Sequence, residues 1–185
     1  MDHKALATLE AGIETVRGAP LDGGRVELIV RRPHIEAREV VTEATLDEDE
    51  GLVGDSWLER AGGAEADGDA HRETQITVMN ARTAQLIAGD RERWPLAGDQ
   101  FYVDLDLSAA NLPPGTRLQI GAALLEVTAE PHRGCGKFSR RFGVDALKFV
   151  NSGVGRELNL RGINARIVRG GVVRIGDRVY KTTGE

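Results

Sequence analysis

The sequence predicts a mainly β chain with a few short helices, its sheet closed or nearly closed into a barrel. Short stretches with two-residue apolar alternation recur along the chain, and helical periodicity is confined to brief segments. Glycine, at 23 of 185 residues, is frequent enough to put a turn between most of the strands. Closure is the expected outcome, because many short strands in an open sheet would leave exposed edges. The chain is long enough for one domain with a sizeable core. A net charge of -5 argues against a nucleic-acid or anionic-membrane binder, and no apolar run has the length of a membrane span. The N-terminus lacks the apolar core of a signal peptide, so the cytoplasm is the expected compartment, and one cysteine rules out an internal disulfide.

Taken in order, residues 2–17 place Leu6, Leu9, Ile13 and Val16 on one helical face before Gly18 and Pro20 end the run. Residues 1–20 thus read as a helical extension ahead of a barrel domain spanning 21–185. Arg25–Val30 and Glu39–Leu46 read as strands. The acidic turn 47–50 lacks the spacing of a calcium loop and reads as solvated. Residues 51–75 form a long polar segment with His71 and Arg72 near its end, a length that is usually functional or disordered. Gln75–Met79 alternates as a strand, and Asn80 can cap a helix that Gly89 closes. In 101–107, Phe101, Val103, Leu105 and Leu107 face a core while Tyr102, Asp104 and Asp106 face out, the acids being a wet face rather than an acid–base pair. Arg117–Ile120 and Ala122–Thr128 suit a hairpin about Gly121. Residues 131–143 read as a loop, with a short helix from Ala146 and with Phe138, Phe142 and Phe149 as core anchors. The tail reads as three strands divided at Gly170-Gly171 and Gly176-Asp177.

The chemistry concentrates in that loop, PHRGCGKFSRRFG, which holds Cys135 just past a strand end. Gly134 and Gly136 on either side leave the thiol open to approach. His132, Arg133, Lys137, Arg140 and Arg141 surround it in sequence with no carboxylate among them. Positive charge favours the thiolate, the form that attacks electrophiles, carries sulfur as a persulfide or ligates a soft metal. The same cations suit a small anionic ligand such as a phosphate.

Several stretches together resemble the MOSC domain, named for the C-terminal domain of molybdenum cofactor sulfurases. They are Gly51-Leu52-Val53-Gly54-Asp55, Leu96-Ala97-Gly98-Asp99-Gln100, Leu118-Gln119-Ile120-Gly121 with Leu125-Glu126-Val127-Thr128, the Cys135 loop, and Gly170-Gly171-Val172-Val173-Arg174-Ile175-Gly176-Asp177. Residues 1–20 fall outside the resemblance. Where many members read Gly-Glu-Asn-Leu this chain has Gly98-Asp99-Gln100-Phe101, and where many have Pro-Cys it has Gly134-Cys135. The resemblance implies a MOSC-type β-barrel whose cysteine either carries sulfur, received from a donor protein, or ligates a bound molybdenum cofactor. In the latter case the protein would reduce N-hydroxylated compounds with electrons from a reductase partner. It implies Cys135 as the catalytic residue and metal ligand. His132 is the accompanying catalytic candidate, and Arg133, Lys137, Arg140, Arg141, Arg72 and Asp99 are the candidates for holding the cofactor.

The alternative is a non-catalytic binding module in which the cations hold a small anion and Cys135 only lines the site. A zinc site from His71, His132 and Cys135 is the weaker third reading, its ligands being scattered. No serine lies in Gly-x-Ser-x-Gly, and no Gly-x-Gly-x-x-Gly joins a strand to a helix, so hydrolase and dinucleotide readings have no support.

Overall fold

A computed structural model of the chain describes residues 3–60 and 72–182. Seven strands close on themselves. They run from β1 (Gly24–Arg31) through β6 (Phe101–Asp104), β5 (Ile76–Asn80), β9 (Ile163–Arg169), β8 (Ala123–Val127) and β7 (Arg117–Ile120) to β11 (Arg178–Thr182), which returns to β1. Neighbours are antiparallel except β5 and β6. β2 (Glu39–Val41) pairs with the far end of β1, and a small second sheet joins β10 (Gly171–Arg174), β3 (Glu43–Asp47) and β4 (Gly51–Leu52). This is the barrel that the alternation predicts.

The strands alternate between two cores. Val26, Val78, Phe101, Val103 and Leu125 fill the barrel, together with Ala44 and Leu46 from the small sheet. Leu28, Val30, Met79 and Tyr102 point outward and are covered by a helical layer through Leu9, Ile87, Phe138 and Phe149. That layer comprises Leu6–Ala11, Ile13–Arg17, Ala81–Ala88, Gly136–Phe142 and Val144–Asn151. Asn80 caps Ala81–Ala88 as expected, its Oδ1 accepting from the N–H groups of Arg82 and Thr83.

The helical layer also accounts for where the sequence reading fails. Tyr102 does not face solvent: it is fully buried, and its hydroxyl donates to the Trp94 carbonyl at 2.6 Å. A barrel face covered by helices has no wet side, so alternation there separates two cores rather than core from water. Asp104 pairs with Arg82 at 2.6 Å, and Asp106 accepts from Ser108. Residues 136–142, expected as loop, form a helix. Phe138 and Phe142 sit four residues apart on its buried face with ring centroids 5.0 Å apart. Its N-cap residue, Cys135, makes no capping hydrogen bond, so the usual start signal was missing from the sequence. The strand expected over 39–46 divides between β2 and β3, which belong to different sheets. Gly170-Gly171 is not a hairpin turn either. β9 pairs with β5 and β8 and β10 with β3, so the chain changes sheets there.

Candidate functional site

Cys135 is a free, exposed thiol between the end of β8 and the helix Gly136–Phe142. Gly134 and Gly136 do not serve it through unusual backbone conformations. Gly134 is required by packing, since a Cβ there would meet Leu147 at 2.8 Å and Val150 at 2.9 Å, and both its N–H and its carbonyl are held by Asn151 at 3.1 Å. The loop is therefore clamped to Val144–Asn151 next to the sulfur. Partial burial pushes the thiol pKa up, but the backbone N–H groups of Phe138 and Lys137, and then the charges of Arg161 and Lys137, outweigh it and hold it below its ordinary value. Because the sulfur accepts no full capping bond, those N–H groups act as dipoles at the helix start.

Beneath the loop runs a buried polar chain. Asp99, fully buried, accepts from Arg161 Nη1 at 2.6 Å on Oδ2 and meets His132 Nε2 at 2.7 Å on Oδ1. Arg161 Nη2 donates to the Ala97 carbonyl at 2.8 Å, and the guanidinium lies 5.1 Å from the centroid of the Phe138 ring, on the cysteine helix. Burial raises Asp99, but the Arg161 charge and the His132 contact bring it down to about 2. His132 is held below its ordinary value by burial first and then by Arg161, with Asp99 opposing, so the imidazole is neutral at pH 7. With Asp99 ionised, His132 Nε2 carries the proton and donates it, and Nδ1 is left as the acceptor. Glycine at 162 permits this placement. It has φ +114, and a Cβ would meet the Val78 carbonyl at 2.5 Å and His132 Cδ2 at 3.1 Å.

A third layer supports the second. Arg32, buried, forms a two-pronged pair with Asp55 at 2.8 and 2.9 Å and donates to the Gly98 carbonyl at 2.9 Å. Gln100 Oε1 accepts from the N–H and hydroxyl of Thr77, both at 2.7 Å, which joins β5 to β6. The acid and amide of Gly98-Asp99-Gln100 thus organise the site from below. Asp99, expected among the residues that hold a cofactor, is fully buried with one oxygen on His132 and the other on Arg161.

Of the expected cations, Lys137 and Arg141 lie on the cysteine helix and both approach Glu36. Arg140 follows one turn along, its guanidinium 3.9 Å from where a Gly136 Cβ would stand. Arg133 is exposed and lines a cavity of about 230 Å³ shared with His132, Asn151 and Asn159, to which Cys135 does not contribute. Arg72 pairs with Asp49 of the acidic turn at 2.6 Å, which engages its guanidinium with that turn. His71 lies outside the described residues. Among the described residues no three His, Cys, Asp or Glu side chains gather to hold a metal ion. No helix among them is long and apolar enough to cross a membrane.

Sequence reasoning missed Arg161, Arg32 and Arg38. Arg161 lies more than twenty residues from Cys135 in no motif, and its only sequence signal was a charge followed by glycine just ahead of a strand. Arg38 is half-buried, donates to the carbonyls of Pro95 and Ala37, and lies 3.6 Å from where a Gly98 Cβ would stand.

Residues 94–180, which hold Asp99, His132, Cys135 and Arg161, match the family model for the MOSC domain. The chain contains a MOSC domain. Its structure is similar to that of YuaD from Bacillus subtilis, with a TM-score of 0.64 and 16% identity over 88% of this chain and 97% of that one. YiiM from Geobacillus stearothermophilus matches with a TM-score of 0.59 and 15% identity, over 86% and 75% of the two chains. YiiM from Escherichia coli matches with 0.55 and 18%, over 87% and 71%. At these identities the likeness is one of fold. No curated protein matches the chain in sequence.

Proposed function

We propose that Cys135 is the working residue of this MOSC domain, acting as a thiolate toward a soft centre. It would either carry a sulfane sulfur as a persulfide or ligate the molybdenum of a bound molybdenum cofactor. The observation that carries this reading is an exposed, free thiol whose pKa is lowered by helix-start N–H groups and two cations. In the carrier form, the thiolate attacks the terminal sulfur of a donor persulfide. A new S–S bond forms as the donor's breaks, and the electron pair leaves on the donor thiolate. His132 Nδ1, a neutral base held by Asp99, is the candidate for taking the remaining proton when the carried sulfur is passed to an acceptor.

The donor set fits the cofactor as well. One soft thiolate suits molybdenum, and Lys137, Arg140 and Arg141 on the same helix suit a phosphate, while Arg133 lines the neighbouring cavity. When bound, the cofactor would supply two-electron redox chemistry toward N-hydroxylated compounds, with electrons from a reductase partner. This chain's residues would hold the cofactor and keep the thiolate ionised.

Native mass spectrometry with metal analysis, on protein from a host that makes molybdenum cofactor, tests the proposal. Bound molybdopterin with stoichiometric molybdenum, lost in Cys135→Ala, would select the cofactor form, and added sulfur on Cys135 without metal would select the carrier. Anion binding and every activity surviving Cys135→Ala would leave a binding module instead.

A further inference from the structure

The segment between β1 and β2 crosses in front of the cysteine helix and contains a backbone outlier. Glu36 has φ 65, in the left-handed region that residues with a Cβ rarely adopt. Beside it Ile35 is 72% exposed, so no core contact holds the turn in place. The Glu36 carboxylate accepts from Arg141 Nη2 and stands 3.7 Å from Lys137 Nζ, both on the cysteine helix. It also feels the charge of Arg38. Arg38 itself makes no ion pair within 4.0 Å among the described residues. Its pKa is lowered by burial first, then by repulsion from Arg141 and Arg32. One carboxylate therefore feels three cations, of which Arg141 also repels Arg38.

We infer that Glu36 is a built-in occupant of an oxyanion seat formed by Arg38, Lys137 and Arg141, and that a phosphate-type ligand must displace it. This rests on the reading that the Cys135 site takes an anionic ligand. Three features make the occupant displaceable. Its side chain is 59% exposed, so the ion pairs are weak and screened. Its backbone is held in the left-handed region, a cost that leaving would relieve. A phosphate also brings up to two charges and three acceptor oxygens to cations that one carboxylate leaves underfilled. Glu36 thereby sets a threshold: weakly charged anions fail to displace it, and dianionic phosphates succeed.

The test is calorimetric titration of inorganic phosphate and of phenyl phosphate into the full chain, with Cys135→Ala as the common background so that thiol chemistry plays no part. Glu36→Gln on that background keeps the shape and removes the competing charge. Glu39→Gln, which frees Arg31 from its 2.6 Å partner in β2, removes the same charge outside the seat. Glu36→Gln is expected to tighten binding about fivefold or more, and Glu39→Gln to change it less than about twofold. Adding Arg141→Gln should abolish the gain. A gain with both ligands identifies a seat for a bare oxyanion, and a gain with phenyl phosphate alone identifies a seat for the ester of a larger molecule. Equal affinities across the three chains, equal gains in the two Gln variants, or no phosphate binding in any of them overturns the inference. None of these results depends on whether Cys135 carries sulfur or molybdenum.

Discussion

Two groups of ion pairs flank the same cysteine, and they differ mainly in burial. Below the loop, Arg161, Asp99 and His132 form a chain in which Asp99 is fully enclosed and Arg161 is 8% exposed at the side chain. Above it, Glu36 bridges Lys137 and Arg141 in the open. The chemistry of the pairs is alike, but desolvation makes the lower chain structural and leaves the upper one exchangeable. Low dielectric makes each buried charge depend on its partner, whereas water can replace an exposed partner at little cost.

The largest expected effect comes from breaking the lower chain. Arg161→Met leaves Asp99 buried without its counter-charge and should cost about 3–5 kcal/mol of stability in urea unfolding. Removing both charges, in Arg161→Met with Asp99→Asn, should cost less than the single change. If the double variant is as damaged as the sum of the two single ones, the pair is not coupled as described.

Acid should expose the same chain. Asp99 has a folded pKa of about 2 against 3.8, so its contribution, about 2 kcal/mol, is present above pH 3.8 and lost as pH falls through about 2. His132 is also depressed from 6.5. Its contribution is complete above pH 6.5 and declines as pH falls through its folded value, because the unfolded chain takes up the proton first. Stability measured from pH 7.5 to 2 should fall in two stages, with His132→Gln flattening the upper one and Asp99→Asn the lower. A single stage in the wild type would contradict both assignments.

A smaller effect links the two regions through the thiol. The rate of Cys135 alkylation by iodoacetamide should rise with pH about a midpoint below 9.0. Arg161→Met should move that midpoint up further than Lys137→Gln does, since the Arg161 charge weighs more on the sulfur. Glu36→Gln should do least to the fold, leaving the urea midpoint unmoved within error. A clear loss of stability there would make Glu36 a structural partner rather than an exchangeable one.

What could be read from the chain was whatever local sequence controls. The alternation of β1, β5 and β8, the Asn80 cap and the hairpin about Gly121 each depend on neighbours within a few residues. So does the cysteine in its cationic stretch. The helix 136–142 was hidden because its N-cap residue is a cysteine and its apolar stripe has only two members. Tyr102 was misread because a strand between two cores alternates just as a strand facing water does.

The sequence by itself determined a strand-rich barrel and its one thiol, because strand pattern and turn chemistry are short-range and a single cysteine leaves no choice. The tertiary structure alone decided which charges serve that thiol. Arg32 and Arg38 from the β1–β2 connection and Arg161 from just ahead of β9 converge on Gly98-Asp99, and Glu36 reaches Arg141 across 105 positions of sequence. Barrel closure and the packing of helices on its outer face bring those segments together, and no local pattern encodes contacts over such separations.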